Sequence, residues 1–152
     1  MVNVGNNDIE NIVSQITNAV SPTIKHNNTI GQLEMIFRRN GYYTTREYPI
    51  FKMNNKPERA GRIDLVARKG RFRVAVEYDH HGLIKWKSFQ KIIQIRPNIA
   101  IGITGNGDLE PNLERAEKYL ECLNSELYIV SLKDKKYQKY KRKYLRGLYE
   151  SI

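Results

Sequence analysis

Apolar residues at Ile9, Ile12, Val13, Ile16, Ala19 and Val20 recur every three or four positions. That spacing predicts an amphipathic helix from Asp8 to Val20. Asn7 or Asp8 suits its N-cap, and Ser21-Pro22 ends it. Ile30, Leu33, Ile36 and Phe37 repeat the pattern, giving a second helix from Thr29 to Arg39 that stops at Asn40-Gly41. Glu34 lies beside its apolar stripe. Tyr42 to Met53 reads as a strand, interrupted at Pro49 or by a bulge, and Asn54 to Arg59 as a polar loop. Further on, His80-His81-Gly82 forms a turn. Leu83 to Ile95 is helical by pattern, with Trp86, Phe89, Ile92 and Ile93 or Ile95 as the buried face. The continuous apolar run IAIGIT, Ile99 to Thr104, marks a strand buried on both sides. Gly105-Asn106-Gly107 turns the chain, and Pro111 begins a helix that runs to Leu123. Leu127 to Leu132 is another apolar strand. The order is α-α-β-β-β-α-β-α-β followed by a basic tail. Early strands pair as an antiparallel meander and later ones by parallel crossovers, which predicts an α/β fold with a mixed central sheet flanked by helices.

Between the meander and the crossovers lies IDLVARKGRFRVAVEYD, Ile63 to Asp79. It reads as a hairpin turning at Lys69-Gly70, with residue 64 opposite 75 and 62 opposite 77. Alternation puts Ile63, Leu65, Ala67, Phe72, Val74, Val76 and Tyr78 on one face. The other face carries Asp64, Glu77 and Asp79 with Val66, Ala75 and three arginines. Three neighbouring carboxylates repel one another. Either this face is wet and charged, or a hard divalent cation such as Mg²⁺ or Mn²⁺ sits among them.

Composition narrows the choice. The chain has 152 residues, 40% of them hydrophobic, enough for one domain with a core. Its hydrophobic runs are far shorter than the ~20 residues of a membrane-spanning helix. The first residues, MVNVGNNDIENIV, carry neither the basic nor the apolar region of a secretory signal. The lone Cys122 is incompatible with a disulfide framework or a cysteine-based zinc site, and suits a small buried position in a reducing, cytoplasmic setting. Net charge is +10, and eight of the Lys and Arg residues fall between Lys133 and Arg146, interleaved with Tyr137, Tyr140 and Tyr144. Such a block is either a nucleic-acid contact or a solvated terminal helix. His80-His81 and Gly105-x-Gly107 are read as ordinary turns, and His26 is too isolated to assign.

The order of elements, with Glu34 on an early helix, Asp64 opening the hairpin and Glu77 thirteen residues later, resembles the restriction-endonuclease-like, or PD-(D/E)XK, superfamily. TIGQLEMIFRRNGYYTTREYPI is similar to that family's first helix and strand, and GRIDLVARKGRFRVAVEYD to its central hairpin. The resemblance covers residues 29–132, leaving 1–28 as an N-terminal helical extension and 133–152 as a basic C-terminal segment of a single domain. It implies a Mg²⁺- or Mn²⁺-dependent deoxyribonuclease, often a homodimer. Asp64 would be the central metal ligand, with Glu77 and the Tyr78 carbonyl as further ligands and Glu34 completing or orienting the site. Two positions depart from the pattern. Ile63 stands in place of a common proline. Asp79 occupies the usual lysine position, as a further ligand or a neighbour of one. In some members that lysine lies on the following helix; here Lys87, with Lys91 next, takes the role. Two other readings stay open: a nucleic-acid-binding module without catalysis on the same fold, and a scaffold whose tail binds an acidic protein.

Overall fold

The computed structural model describes residues 6–22, 25–51 and 59–140. Its elements are α1 (Asn6–Ala19), α2 (His26–Arg39), β1 (Tyr43–Phe51), β2 (Arg59–Lys69), β3 (Phe72–Asp79), α3 (Trp86–Ile95), β4 (Ile99–Thr104), α4 (Leu109–Glu117), a 3₁₀ turn (Leu120–Cys122), β5 (Glu126–Ser131) and β6 (Lys136–Tyr140). The strands form one six-stranded sheet in sequential order. β1, β2 and β3 are antiparallel, β3, β4 and β5 are parallel, and β6 returns antiparallel to β5. This is the mixed α/β architecture expected from the alternation of apolar runs and helical stripes.

Helices cover both faces. Ile9, Ile12, Val13 and Ile16 of α1 join Ile30, Leu33 and Phe37 of α2 over Leu65, Val76, Ile101 and Val130. Phe89 and Ile92 of α3 join Ala116 of α4 over Val66, Ala75, Ala100 and Ile129. Each large apolar side chain buried in this way contributes about 1.5–3 kcal/mol. β4 is buried along its whole length because both layers press on it.

Several expectations are corrected. The hairpin turns at Gly70-Arg71, one residue later than expected, so Leu65 faces Val76 and Ala67 faces Val74. The first position of such a two-residue loop needs a positive φ, and Gly70 supplies it at 63°. The supposed wet face is covered by α3: Val66, Ala75, Glu77 and Asp79 are all buried. α3 begins at Trp86 rather than Leu83, and Trp86 is exposed rather than part of the buried face. Cys122 is exposed, not buried. The basic segment opens with a strand. Lys135, with φ 52°, reverses the chain, and β6 adds to the sheet edge with Tyr137 packed on Tyr128. Residues 141–152, most of the expected basic tail, lie outside the described residues, as do 52–58, most of the expected polar loop. Pro49 sits within β1, which is tolerated because β1 is an edge strand.

Candidate functional site

The sheet opens where β2 reaches Asp64. The β2–β3 ladder runs from Lys69–Phe72 to Leu65–Val76. Glu47 of β1 sits beyond it, between Arg46, paired with Leu65, and Tyr48, paired with Ile63. Its φ is 50°, a left-handed value costly for a residue with a side chain. Here the expected alternation breaks. Leu65 joins the α1/α2 core, whereas Ile63 joins the α3/α4 core instead of sharing a face with Leu65. Beyond this kink, carboxylates serve the parted strands' backbone groups. The Asp64 N–H donates to Glu77 Oε2 at 3.2 Å, and the Tyr78 N–H donates to Asp64 Oδ2 at 2.8 Å. Asp64 and Glu77 are therefore locked to each other's strands. A strand residue directs its N–H and C=O to the same side, so the Tyr78 carbonyl also faces the gap.

Glu77 is 1% exposed, near the middle of the sheet. Burial pushes its carboxyl well above the usual carboxylate range, and the nearby Asp64 adds to the shift; Lys91 pulls the other way without cancelling it. Lys91, on α3, forms an ion pair with Glu77 Oε1 and donates to the Arg62 carbonyl at 2.7 Å. Gly61 makes room for it. A Cβ there would lie 3.1 Å from the lysine stem, and its φ of 146° suits glycine. Among the described residues, Glu77 Oε1 meets no partner other than the Lys91 ammonium. A buried carboxylate is costly unless its charge is paired.

These groups line an open cleft of about 530 Å³, bordered also by the exposed cations Arg62, Lys85 and Lys87. His26, in the first turn of α2, places Nε2 3.4 Å from Asp64 Oδ1. Its ring lies 5.6 Å from that of Tyr78. The Tyr78 hydroxyl is within 3.2 Å of His80 Nδ1. The loop carrying His80 is held tightly against the end of β4. A Cβ on Gly107 would overlap the Gly82 carbonyl, so only glycine fits there.

The expected site residues thus separate. Asp64, Glu77, the Tyr78 carbonyl and Lys91 come together. Lys87 lines the cleft but is exposed, so Lys91, the second choice from sequence, is the lysine at the carboxylates. Asp79 also lines the cleft, but its carboxylate serves the start of α3. Its Oδ2 accepts from the Lys85 N–H at 2.9 Å and lies 3.4 Å from the Ser88 hydroxyl, while Lys85 Nζ is 3.6 Å from Oδ1. Glu34 is not at the cleft. It faces β1, bound by Arg46, Arg38 and Thr44. The trio of Asp64, Glu77 and Asp79 is therefore not assembled. Among the described residues, no group of three or more His, Cys, Asp and Glu converges as a metal cage. His26 went unassigned from sequence because its partner is 38 positions away and because the expected helix began at Thr29, whereas α2 starts at His26 itself.

No protein-family model matches the chain, and no curated protein matches it. Among solved structures, the crystal structure of a protein of unknown function, AF1548, is similar with a TM-score of 0.38 and 15% identity. The match covers 76% of this chain and 56% of that one, so the chain spans little more than half the length of its structural neighbour. No helix among the described residues is long and apolar enough to cross a membrane.

Proposed function

We propose that this protein is a metal-dependent nuclease that hydrolyses DNA phosphodiesters, built on a restriction-endonuclease-like core. One observation carries the reading. Two carboxylates from adjacent strands, Asp64 and Glu77, line a cation-rimmed cleft together with Lys91 of the next helix, which is paired with the buried Glu77. Nothing in the packing of a sheet requires that arrangement. It suits a hard cation, since Mg²⁺ is commonly held by one or two carboxylates and keeps several waters. Asp64, Glu77 and the Tyr78 carbonyl would hold Mg²⁺ or Mn²⁺. When bound, the ion neutralises a phosphate oxygen and makes its water more acidic.

The chain's own groups do the rest. Burial of Glu77 excludes bulk water from one side of the site. The Lys91 ammonium has three donors. One goes to the Arg62 carbonyl and one faces Glu77, which leaves one to orient a water or a phosphate oxygen. Arg62, Lys85 and Lys87 give the cleft the positive rim that a phosphate backbone needs. Lys91 replaces the lysine missing at position 79. Asp79, as the hydrogen-bond acceptor at the start of α3, fixes the helix that delivers it.

The test is a panel of labelled single-stranded, duplex, nicked, flap and four-way-junction DNA, incubated with Mg²⁺, Mn²⁺ or EDTA. Metal-dependent cutting that disappears in Asp64→Asn supports the proposal. Binding without cutting in every metal overturns it in favour of a DNA-binding module without catalysis.

A further inference from the structure

Beside the cleft stands a second feature that phosphodiester hydrolysis does not use. Trp86, the chain's single tryptophan, is the first residue of α3 and is 38% exposed. The guanidinium of Arg115 lies 4.5 Å from its ring centroid and the ammonium of Lys118 5.5 Å, both from the α4 side. Tyr119 supports the indole at 4.8 Å and is itself stacked on the buried Phe89 at 5.1 Å. The indole is thus backed by a rigid aromatic column rooted in the core. Among the described residues, neither Arg115 nor Lys118 has a carboxylate within ion-pairing distance. Arg115 is held in place by its bond to the Ile84 carbonyl at 3.1 Å.

Two cations without a carboxylate partner beside a partly exposed ring suit a ligand with both an anionic and a flat π component. A nucleotide has both. The chain neighbours of Trp86, Lys85 and Lys87, line the cleft. A strand leaving the cleft along the start of α3 therefore meets this patch within a residue or two. We propose that Trp86, Arg115 and Lys118 form a stacking site for an unpaired nucleobase and its phosphate. The substrate would then carry single-stranded nucleotides next to the duplex or scissile segment in the cleft. This rests on the nucleic-acid part of the function proposed above and not on its metal chemistry.

Because Trp86 is the sole tryptophan, its emission reports the site directly. The wild-type protein in EDTA would be titrated with oligothymidylate, a blunt hairpin duplex and inorganic polyphosphate. Saturable quenching is expected with oligothymidylate, and little with the duplex or polyphosphate even where anisotropy shows binding. Base–aromatic stacking contributes enough that Trp86→Ala should weaken oligothymidylate binding about ten-fold, with duplex affinity unchanged within about two-fold. Trp86→Phe should recover part of the loss. Lys118→Ala, at an exposed position, should weaken oligothymidylate several-fold without affecting folding.

Equal quenching by polyphosphate would overturn the proposal in favour of a plain anion site. Binding of oligothymidylate without quenching would overturn it too, as would equal losses on both DNAs in Trp86→Ala. No oligonucleotide binding at all would leave the patch to a protein partner and also overturn it. Since no step uses metal, a positive result alongside absent cutting would sink the nuclease reading and leave the stacking site standing.

Discussion

Glu34 and Glu77 are both buried acids on regular elements, and they differ in how their charge is met. Glu34 has every need answered. Arg46 Nη2 lies 2.9 Å from Oε1, and Arg38 Nη2 and the Thr44 hydroxyl reach Oε2 at 3.2 and 2.7 Å. Burial alone would raise its pKa, but those donors and positive charges outweigh it and hold the carboxyl below its ordinary value. Glu77 is more deeply buried, has a second carboxylate for a neighbour, has Lys91 as its one paired cation among the described residues, and is shifted the opposite way. The first pattern is what a fold does with a charge it uses to join α2 to β1. In the second, burial and the neighbouring Asp64 outweigh Lys91 and leave the carboxyl reluctant to ionise.

That contrast can be broken in order of size. Asp64→Asn should lower metal-dependent cutting about a thousand-fold in single-turnover assays while DNA affinity holds; retained cutting would place the chemistry elsewhere. Lys91→Ala should cost about a hundred-fold in the same assay. Lys87→Ala should mainly weaken binding and reduce the salt slope by about one. The reverse ranking would return the role to Lys87.

Glu34→Gln should leave the cutting rate of folded protein unchanged but destabilise it by about 1–3 kcal/mol in urea melts at neutral pH, the scale of hydrogen bonds to a charged group. Because the folded pKa of Glu34 is depressed, its contribution is present above the unfolded value of 4.5 and disappears as pH falls through the folded one. The difference between wild type and Glu34→Gln should therefore shrink in acid. Glu77→Gln should abolish cutting yet raise stability, on the order of 1 kcal/mol at pH 8. The folded pKa of Glu77 is raised, so its ionisation costs stability as pH climbs above the unfolded value of 4.5. The gain in the variant should vanish near pH 4.5. A gain that grew in acid would reverse the sign assigned to Glu77.

The helices and buried strands were legible because burial leaves a period. Ile9 to Ile16 and IAIGIT carry that period without ambiguity. Asp64 and Glu77 were legible too, as charges inside apolar strands. What the sequence hid were events that break the period. The flip between Ile63 and Leu65 lies across the ladder from Glu47, whose left-handed backbone has no signature in a residue that ordinarily avoids it. Glu34 drew attention as an acid beside an apolar stripe, but its partners Thr44 and Arg46 lie on a different element, so its structural role was invisible. Trp86 was counted as core because it falls in the helical repeat of Phe89 and Ile92; in the structure it opens α3, three residues later than expected, and is exposed. β6 was hidden because its lysines and tyrosines carry no continuous apolar run, and an edge strand needs none.

The burial of Glu77 beneath α3 has a consequence for how the chain acquires its structure. The hairpin of β2 and β3 is local and can pair early, when the Glu77 side chain still has water on the face that α3 will cover. The crossover through α3 leads to the parallel partner β4, and such contacts form slowly. Glu77 loses its solvent when α3 docks with Lys91. In a medium between pH 4.5 and about 9, the chain should take up a proton at that moment. Proton uptake during refolding would thus time the closing of the crossover, and the residue proposed to hold the metal would double as a clock for assembly of the sheet.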